Sequence, residues 1–339
     1  MSPPRLLCII LNYRTPGHTL SALSALIAEM RGLDGAITVV DNDSGDGSFA
    51  RIRAAVAEGD GAEDVPLRLL QAGRNGGFGA GNNLAIRAGL PGGGRPDYIY
   101  ILNPDAMPRP GALHRLLAHL QRHPRTGLAG SRIHGPDGSL HRTVFRFPSW
   151  LGEFEAAARI GPVSRLLARH VIAAPVPEAT GPVDWLAGAS LMMRRRMLDE
   201  IGLFDEGYFL YFEETDLCLR AARAGWRTDF VRDSVVTHVG GAATGMKRWQ
   251  RVPRYWFDSR LRYFHKNHGA AHAALATLAH LSGGALHHAR RQLAGRPPEP
   301  PARLLRDMAA HALGHAWQHL LPGPPHRGGE RGPEQRRNA

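Results

Sequence analysis

The run Leu6-Leu7-Cys8-Ile9-Ile10-Leu11 is apolar at every position, with no polar alternation. A strand buried on both faces reads this way, and such strands belong to parallel sheets covered by helices on either side. The residues after it agree with that start. Asn12–Thr15 is a polar turn, Pro16 opens a helix to about Met30, and Ala36–Val40 is a second strand. Asp41-Asn42-Asp43-Ser44-Gly45-Asp46-Gly47 then supplies turn and N-cap residues before a helix to about Glu58. Leu67–Leu70 is a short strand, and the glycine-rich Arg74–Gly81 leads to a helix over Asn82–Ala88. Tyr98–Leu102 ends at Asn103-Pro104-Asp105. Four strand–helix alternations predict an α/β fold with a doubly wound, mostly parallel sheet and right-handed crossovers.

Ligands of such sheets sit at the carboxyl ends of the strands. The polar clusters Asn12–Thr15, Asp41–Asp46, Arg74–Asn83 and Asn103–Asp105 all fall there. A purely structural sheet has no need of carboxylates, amides and glycines at each strand end, so the pattern points to a bound ligand.

Beyond the fourth strand the signals are a helix over Gly111–Arg122, a turn at Gly135–Gly138 and a proline-rich excursion over Arg159–Pro182. Trp185-Leu186-Ala187-Gly188-Ala189 and a strand over Ser190–Met193 come next. A helix opens near Glu213, with Leu217, Ala221 and Ala224 on its apolar face and Gly225 closing it. These signals predict a catalytic domain over residues 1–245, with halves meeting near residue 110. They also predict a helical, basic extension over 246–320 and a disordered tail over 321–339.

Two cysteines, Cys8 and Cys218, lie in apolar runs, which excludes a disulfide or zinc framework. Nothing at the N-terminus reads as a signal peptide, and no apolar run is long enough to span a bilayer. These observations predict a cytoplasmic protein. The net charge is +12, and the late region concentrates it in Arg248, Arg251, Arg254, Arg260, Arg262, Lys266, Arg290, Arg291, Arg296, Arg303 and Arg306. Such an end predicts peripheral attachment to an anionic membrane surface. A nucleic-acid partner would leave the strand-end clusters unexplained.

Two acidic constellations carry the chemistry. Asn103-Pro104-Asp105 can hold Mg²⁺ or Mn²⁺ against a diphosphate, because hard cations share oxygen ligands with phosphates. Glu213-Glu214-Thr215-Asp216 places three carboxylates within four positions, so mutual repulsion should raise at least one pKa and create a general base. The glycine spacing in Arg74–Asn83 is not that of a dinucleotide fingerprint. It suits close approach of backbone to a ligand, with Arg74 able to pair with a phosphate or a base.

In order, these motifs resemble glycosyltransferase family 2, in its rhamnosyltransferase-like branch. The matching residues are Leu11-Asn12-Tyr13, Val40-Asp41-Asn42 with Ser44 and Asp46-Gly47-Ser48, and Asn75, Gly77-Phe78 and Gly81-Asn82-Asn83. They continue through Leu102–Asp105, Gly202 with Phe204–Glu206, Tyr211 with Glu213 and Asp216-Leu217-Cys218, Arg220, Gly225-Trp226, His238 and Arg260–Gly269. The resemblance spans about residues 5–269. It implies a GT-A fold and inverting transfer of a sugar from a nucleotide-sugar donor, with dTDP-L-rhamnose the favoured donor. The implied acceptor is a saccharide, often polyprenyl-diphosphate-linked.

By the same resemblance, Asn103-Pro104-Asp105 stands at the family's metal motif, with His238 completing the metal site or touching the diphosphate. Asp41 stands where the nucleoside is contacted, and Asn12, Asp43, Arg74, Gly77, Asn82 and Asn103 are expected on the donor. Trp185 and Gly188 are expected on the acceptor. Glu213-Glu214 occupies the position of a Glu-Asp pair whose second acid is the base. This chain carries the longer Glu214 there, so the base lies among Glu214, Glu213 and Asp216. An inactive donor-binding module and a nucleotidyltransferase with a similar core are the competing readings.

Overall fold

The computed structural model describes residues 3–59, 65–241, 245, 246, 249–297, 299, 301 and 303–320. The expected disordered tail therefore lies outside the described residues, as do Lys247 and Arg248. The first half runs β1 (Leu6–Asn12), α1 (Pro16–Met30), β2 (Gly35–Asp41), α2 (Ser48–Glu58), β3 (Leu67–Gln71), α3 (Gly77–Ala88) and β4 (Tyr98–Leu102). All seven residues of β1 are buried, as an unbroken apolar run requires. Leu6, Cys8 and Ile10 face one hydrophobic core with α1 and its Leu26 and Met30. Leu7, Ile9 and Leu11 face the other, with Ala85 and Ile86 of α3.

The second half is β5 (Ala106–Pro108), α4 (Ala112–Arg122), β6 (Thr126–His134), β7 (Val144–Phe145), α5 (Trp150–Ala158), α6 (Gly161–Leu166), β8 (Gly181–Val183) and β9 (Trp185–Leu186). Next come β10 (Ser190–Arg194), α7 (Arg195–Ile201), α8 (Glu213–Arg223), β11 (Arg227–His238), α9 (Arg254–His268), α10 (Ala270–Leu293) and α11 (Leu304–Leu320). The main sheet has the order β3-β2-β1-β4-β10-β6-β11-β5, with β8 also on β11. Strands β1 to β4 are parallel, as expected. Strand β10 joins the halves by pairing antiparallel with both β4 and β6, so the sheet is mixed as well as mostly parallel.

Two local expectations meet different outcomes. Helix α3 starts at Gly77, inside the run read as a loop before Asn82. Helix α8 ends as its glycine predicts: Gly225 takes φ 82°, and Gly225 and Trp226 donate their backbone N–H groups to the carbonyls of Ala222 and Ala221. That is a Schellman closure.

The extension is helical but does not stand apart from the core. Arg260 of α9 is buried and donates to Glu153 Oε2 of α5 at 3.1 and 2.8 Å, to Thr277 Oγ1 and to the Ala276 carbonyl. His280 Nδ1 reaches the same carboxylate at 2.8 Å. Burial alone would raise the Glu153 pKa, but the Arg260 charge and the His280 hydrogen bond outweigh it and hold the carboxyl at about 2. Arg262 and Lys266 pair with Asp205, Arg251 with Asp307, and Arg291 with Glu299. Several cations read from the sequence as a basic surface are thus paired with acids of the fold, and one of them, Arg260, is buried.

A buried pair that loses one partner leaves an uncompensated charge, at a cost of about 3–5 kcal/mol, whereas an apolar replacement of both is often neutral. Arg260→Met should therefore lower the thermal midpoint by roughly 4–7 °C, at ~1.4 °C per kcal/mol for a chain of 339 residues. Calorimetry should show Arg260→Met with Glu153→Met recovering most of that loss. A double variant as unstable as the single one would show that the ion pair itself is required.

Candidate active site

The parallel register of β1 and β2 sets Asn12 beside Asp41 at the strand ends. Asn12 is fully buried; its Nδ2 donates to Asp41 Oδ1 at 2.6 Å, and its Oδ1 accepts from Thr19 Oγ1 at 2.8 Å. Ser44 adds its hydroxyl to Asp41 Oδ1 at 2.6 Å and its backbone N–H to Oδ2 at 3.1 Å. Asn12 therefore orients Asp41, and Asp43 lies exposed beside it with φ 57°. Asn42, which the motif contains without an assigned role, donates to Asn75 Oδ1 at 2.9 Å and to the Gly77 carbonyl at 3.2 Å.

The glycine-rich run approaches backbone closely, but the backbone is the protein's own. A Cβ on Gly77, where φ is 88°, would lie 1.9 Å from the Phe209 carbonyl oxygen. The next residue, Phe78, donates its N–H to that carbonyl at 3.0 Å. Asn83 clamps the same segment from the other side, donating to the Phe204 carbonyl and Glu206 Oε1 and accepting from Phe204 N–H. Asn82 donates to the Phe78 carbonyl within α3, and Arg74 is exposed at the head of the run. The run thus fixes the segment that leads to the acids of α8, and sequence spacing gave no sign of this.

At the end of β4, His238 Nε2 lies 3.0 Å from Asp105 Oδ1 and 3.5 Å from Asn103 Nδ2. Gly240 donates its N–H to Asp105 Oδ2 at 3.1 Å. The pairing of β5 with the end of β11 makes this convergence possible, because it sets His238 opposite Ala106. His141, absent from every motif, lies with its ring 6.3 Å from that of His238. Among the described residues no cluster of three or more His, Cys, Asp or Glu side chains could hold a metal. The Asp105–His238–Asn103 set suits a hard cation that takes its other ligands from a diphosphate and water.

The acids sit at the first turn of α8, behind Tyr211 and Phe212, which both take φ 69°. Left-handed backbone at bulky residues costs about 1–3 kcal/mol each and collects at functional sites. Glu213 is buried, and Glu214 Oε1 accepts from Gly188 N–H at 3.3 Å. The Oε2 atoms of both are buried with no hydrogen-bond partner among the described residues. Burial pushes the Glu213 pKa well up, and the neighbouring Glu214 charge pushes it further. Burial also raises Glu214, against hydrogen bonds from its own backbone N–H and that of Gly188.

Asp216 differs. It is fully buried but takes Arg220 Nε at 2.8 Å, Lys266 Nζ at 2.9 Å, Asn267 Nδ2 at 2.9 Å and the Tyr208 hydroxyl at 3.3 Å. Burial opposes its ionisation, but the bonds from Asn267, Lys266 and Arg220 prevail and lower its pKa. Its donors come from α8, α9 and the preceding loop, so Asp216 is a structural hub.

The two acidic centres are adjacent. Asn103 N–H donates to the Ala189 carbonyl at 3.0 Å, and the neighbouring Gly188 holds Glu214. Residues 188–189 therefore bridge the Asn103–Asp105 turn and the glutamate pair. Phe78 faces the Cα of Gly188 from α3, and a Cβ there would meet its ring at 3.2 Å. Trp185, a few residues before the bridge, stacks on Phe145 at 4.4 Å and donates its indole N–H to the Arg146 carbonyl. Phe209, Tyr211, Trp249 and Tyr255 form an aromatic cluster beside the acids, with ring centroids 5.4–6.4 Å apart.

A mixed, mostly parallel sheet with polar strand ends, an Asn-x-Asp turn meeting a histidine and an acid pair at a helix start define a GT-A type glycosyltransferase. The family model for "Glycosyltransferase like family 2" matches residues 3–255, and the chain belongs to that family. It is 32% identical over 240 residues to N-acetylglucosaminyl-diphospho-decaprenol L-rhamnosyltransferase of Mycobacterium tuberculosis, covering 68% of this chain and 75% of that protein. It is 31% identical over 159 residues to rhamnosyltransferase WbbL of Escherichia coli, covering 46% of this chain and 58% of that one.

Solved structures with a similar fold include the mannosyltransferase PcManGT of Pyrobaculum calidifontis with GDP-Man and Mn²⁺, at TM-score 0.50 and 16% identity, covering 94% of this chain and 88% of that one. Another is S. aureus TarS with UDP-GlcNAc, at TM-score 0.52 and 14% identity, covering 85% and 74%. At these identities the likeness speaks for the fold.

The raised glutamates tie stability to pH. A carboxyl whose folded pKa exceeds its unfolded value stabilises the fold below the unfolded pKa, near ~4.3, and loses that contribution as pH rises through the folded pKa. At pH 8 the pair is thus a burden on the fold. Glu213→Gln or Glu214→Gln should unfold at a higher temperature than wild type at pH 8, with the gap closing toward pH 4. Equal midpoints at both pH values would contradict the buried, repelling pair.

Proposed function

We propose that this glycosyltransferase transfers L-rhamnose from dTDP-rhamnose to a saccharide carried on a polyprenyl diphosphate, in surface-polysaccharide synthesis, with inversion at the anomeric carbon. The observation that supports the reading is the bridge through Gly188 and Ala189, which links the Asn103–Asp105 turn to the Glu213–Glu214 pair. The L-rhamnosyl and lipid-linked parts rest on the Mycobacterium tuberculosis relative, whose name states both.

Asp41, oriented by Asn12 and Ser44, would receive the nucleoside, and Arg74, exposed at the head of the glycine run, would pair with the diphosphate or base. Asp105 and His238, with Asn103 beside them, would hold Mg²⁺ or Mn²⁺. A divalent cation bound there supplies the counter-charge that a departing nucleoside diphosphate needs. Glu214 is the base: it takes the proton from the acceptor hydroxyl as that oxygen bonds to the anomeric carbon and the bond to the diphosphate breaks. Its raised pKa suits it to accept that proton, whereas Asp216 is held ionised by its four donors. Trp185, Gly188 and the aromatic cluster at Tyr211 and Tyr255 would present the acceptor sugar. Attachment would be peripheral, since among the described residues no helix is long and apolar enough to cross a membrane.

A panel of nucleotide sugars, scored by nucleoside diphosphate release, tests the donor; preference for a UDP-hexose would overturn the rhamnosyl reading. Glu214→Gln should keep donor binding while turnover falls roughly 10²–10⁴-fold, the usual worth of general-base catalysis. A near-wild-type Glu214→Gln with an inactive Glu213→Gln would move the base by one residue. EDTA and Asp105→Ala should each abolish transfer with the thermal midpoint little changed. Full activity in EDTA would remove the cation from the scheme.

A further inference from the structure

Helix α10 turns its small residues inward. The face against α5 and α9 carries Ala273, Ala276, Thr277 and Gly283. A Cβ on Gly283 would lie 2.5 Å from the Phe154 carbonyl oxygen, so α5 packs against bare backbone. Four of its five leucines go the other way, Leu281 being half-buried. Leu275, Leu278, Leu286 and Leu293 are 43, 63, 41 and 89% exposed. Their spacing keeps them on one stripe along a helix about 36 Å long. An amphipathic helix at a water-facing surface buries its leucines and exposes small or polar residues, and α10 reverses that. A long exposed leucine stripe marks a surface that something apolar covers.

Charge identifies the cover. The sequence carries no Asp or Glu from Ser259 to Pro298, a stretch that includes all of α10. Arg290 and Arg296 are exposed at the helix's C-terminal end. A leucine stripe with basic residues at its C-terminal end, on a helix that carries no acid of its own, fits the headgroup region of an anionic bilayer. A second copy fits less well, because two such helices, each without an acid, could form no interhelical ion pair.

We propose that the Leu275–Leu278–Leu286–Leu293 stripe of α10, flanked by Arg290 and Arg296, is the face by which the enzyme lies on an anionic membrane. Of the proposed function, this rests only on peripheral attachment, and it names the surface responsible. It also separates the cations that can face lipid from Arg260, Arg262 and Lys266, which are engaged within the fold.

The test is co-sedimentation of the full chain with phosphatidylcholine vesicles, with and without phosphatidylglycerol. The wild type should bind the anionic vesicles and be released in part by salt. Combined Leu275→Gln, Leu278→Gln and Leu286→Gln should lower the partition coefficient roughly tenfold or more, since each removes apolar area from the interface. The same variant should keep the wild-type thermal midpoint and the wild-type rate of nucleoside diphosphate release in detergent. Arg290→Gln with Arg296→Gln should weaken binding to anionic vesicles alone. Unchanged binding of the leucine variant, or no vesicle binding by the wild type, overturns the proposal. So does a wild-type dimer in analytical ultracentrifugation that the leucine variant converts to monomer. A failed rhamnosyl assignment would appear in the donor panel and leave the vesicle result intact.

Discussion

Asp216 receives donors from Arg220 one turn on, from Lys266 and Asn267 of α9, and from Tyr208 ahead of the helix. Because the carboxylate has no exposed surface, each of these bonds acts where water competes little. They fix the first turn of α8, and so the rotation at which Glu213 and Glu214 are presented. The extension, far along the chain, thereby becomes part of the half that carries the acid pair. Lys266 also binds Asp205, and Arg262 joins it there, so α9 grips both ends of the segment between the clamp of Asn83 and the acids.

That grip has work to hold against. Tyr211 and Phe212 sit in left-handed backbone, and the buried Glu213 carboxyl is repelled by its half-buried neighbour Glu214. A chain free to relax would relieve both. Gly77, which admits the Phe209 carbonyl where any side chain would collide, and the Asp216 hub together keep the strained segment in place. Strain of this kind persists only where the surroundings over-determine the backbone. The rigid part is the parallel sheet, whose buried strands carry Asn12, Asp41 and Asn103 on their ends without distortion.

The late basic region divides into two populations with different physics. Arg260, buried against Glu153 and His280, is an internal cross-link between α5, α9 and α10. Arg290 and Arg296 are exposed beside leucines that the packing of α10 leaves outside. Net charge does not separate these cases; burial and partners do.

The local grammar of the chain was legible from its residues. The all-apolar β1, the polar strand ends, the Asn103–Asp105 turn and the acidic start of α8 with its Gly225 closure are each fixed by neighbours within a few positions. Other features depend on residues far apart in sequence: β10 inserted antiparallel between β4 and β6, His238 brought to Asp105, and Asn83 bound to a residue 121 positions away. Asp216 and Glu214 stand two positions apart in one acidic cluster, and nothing local distinguishes them. Only the packing of α9 against one, and of Gly188 against the other, makes the first a structural anchor and leaves the second with a buried oxygen that has no partner among the described residues. A side chain's type sets what it can do; its partners and burial decide which of those things it does.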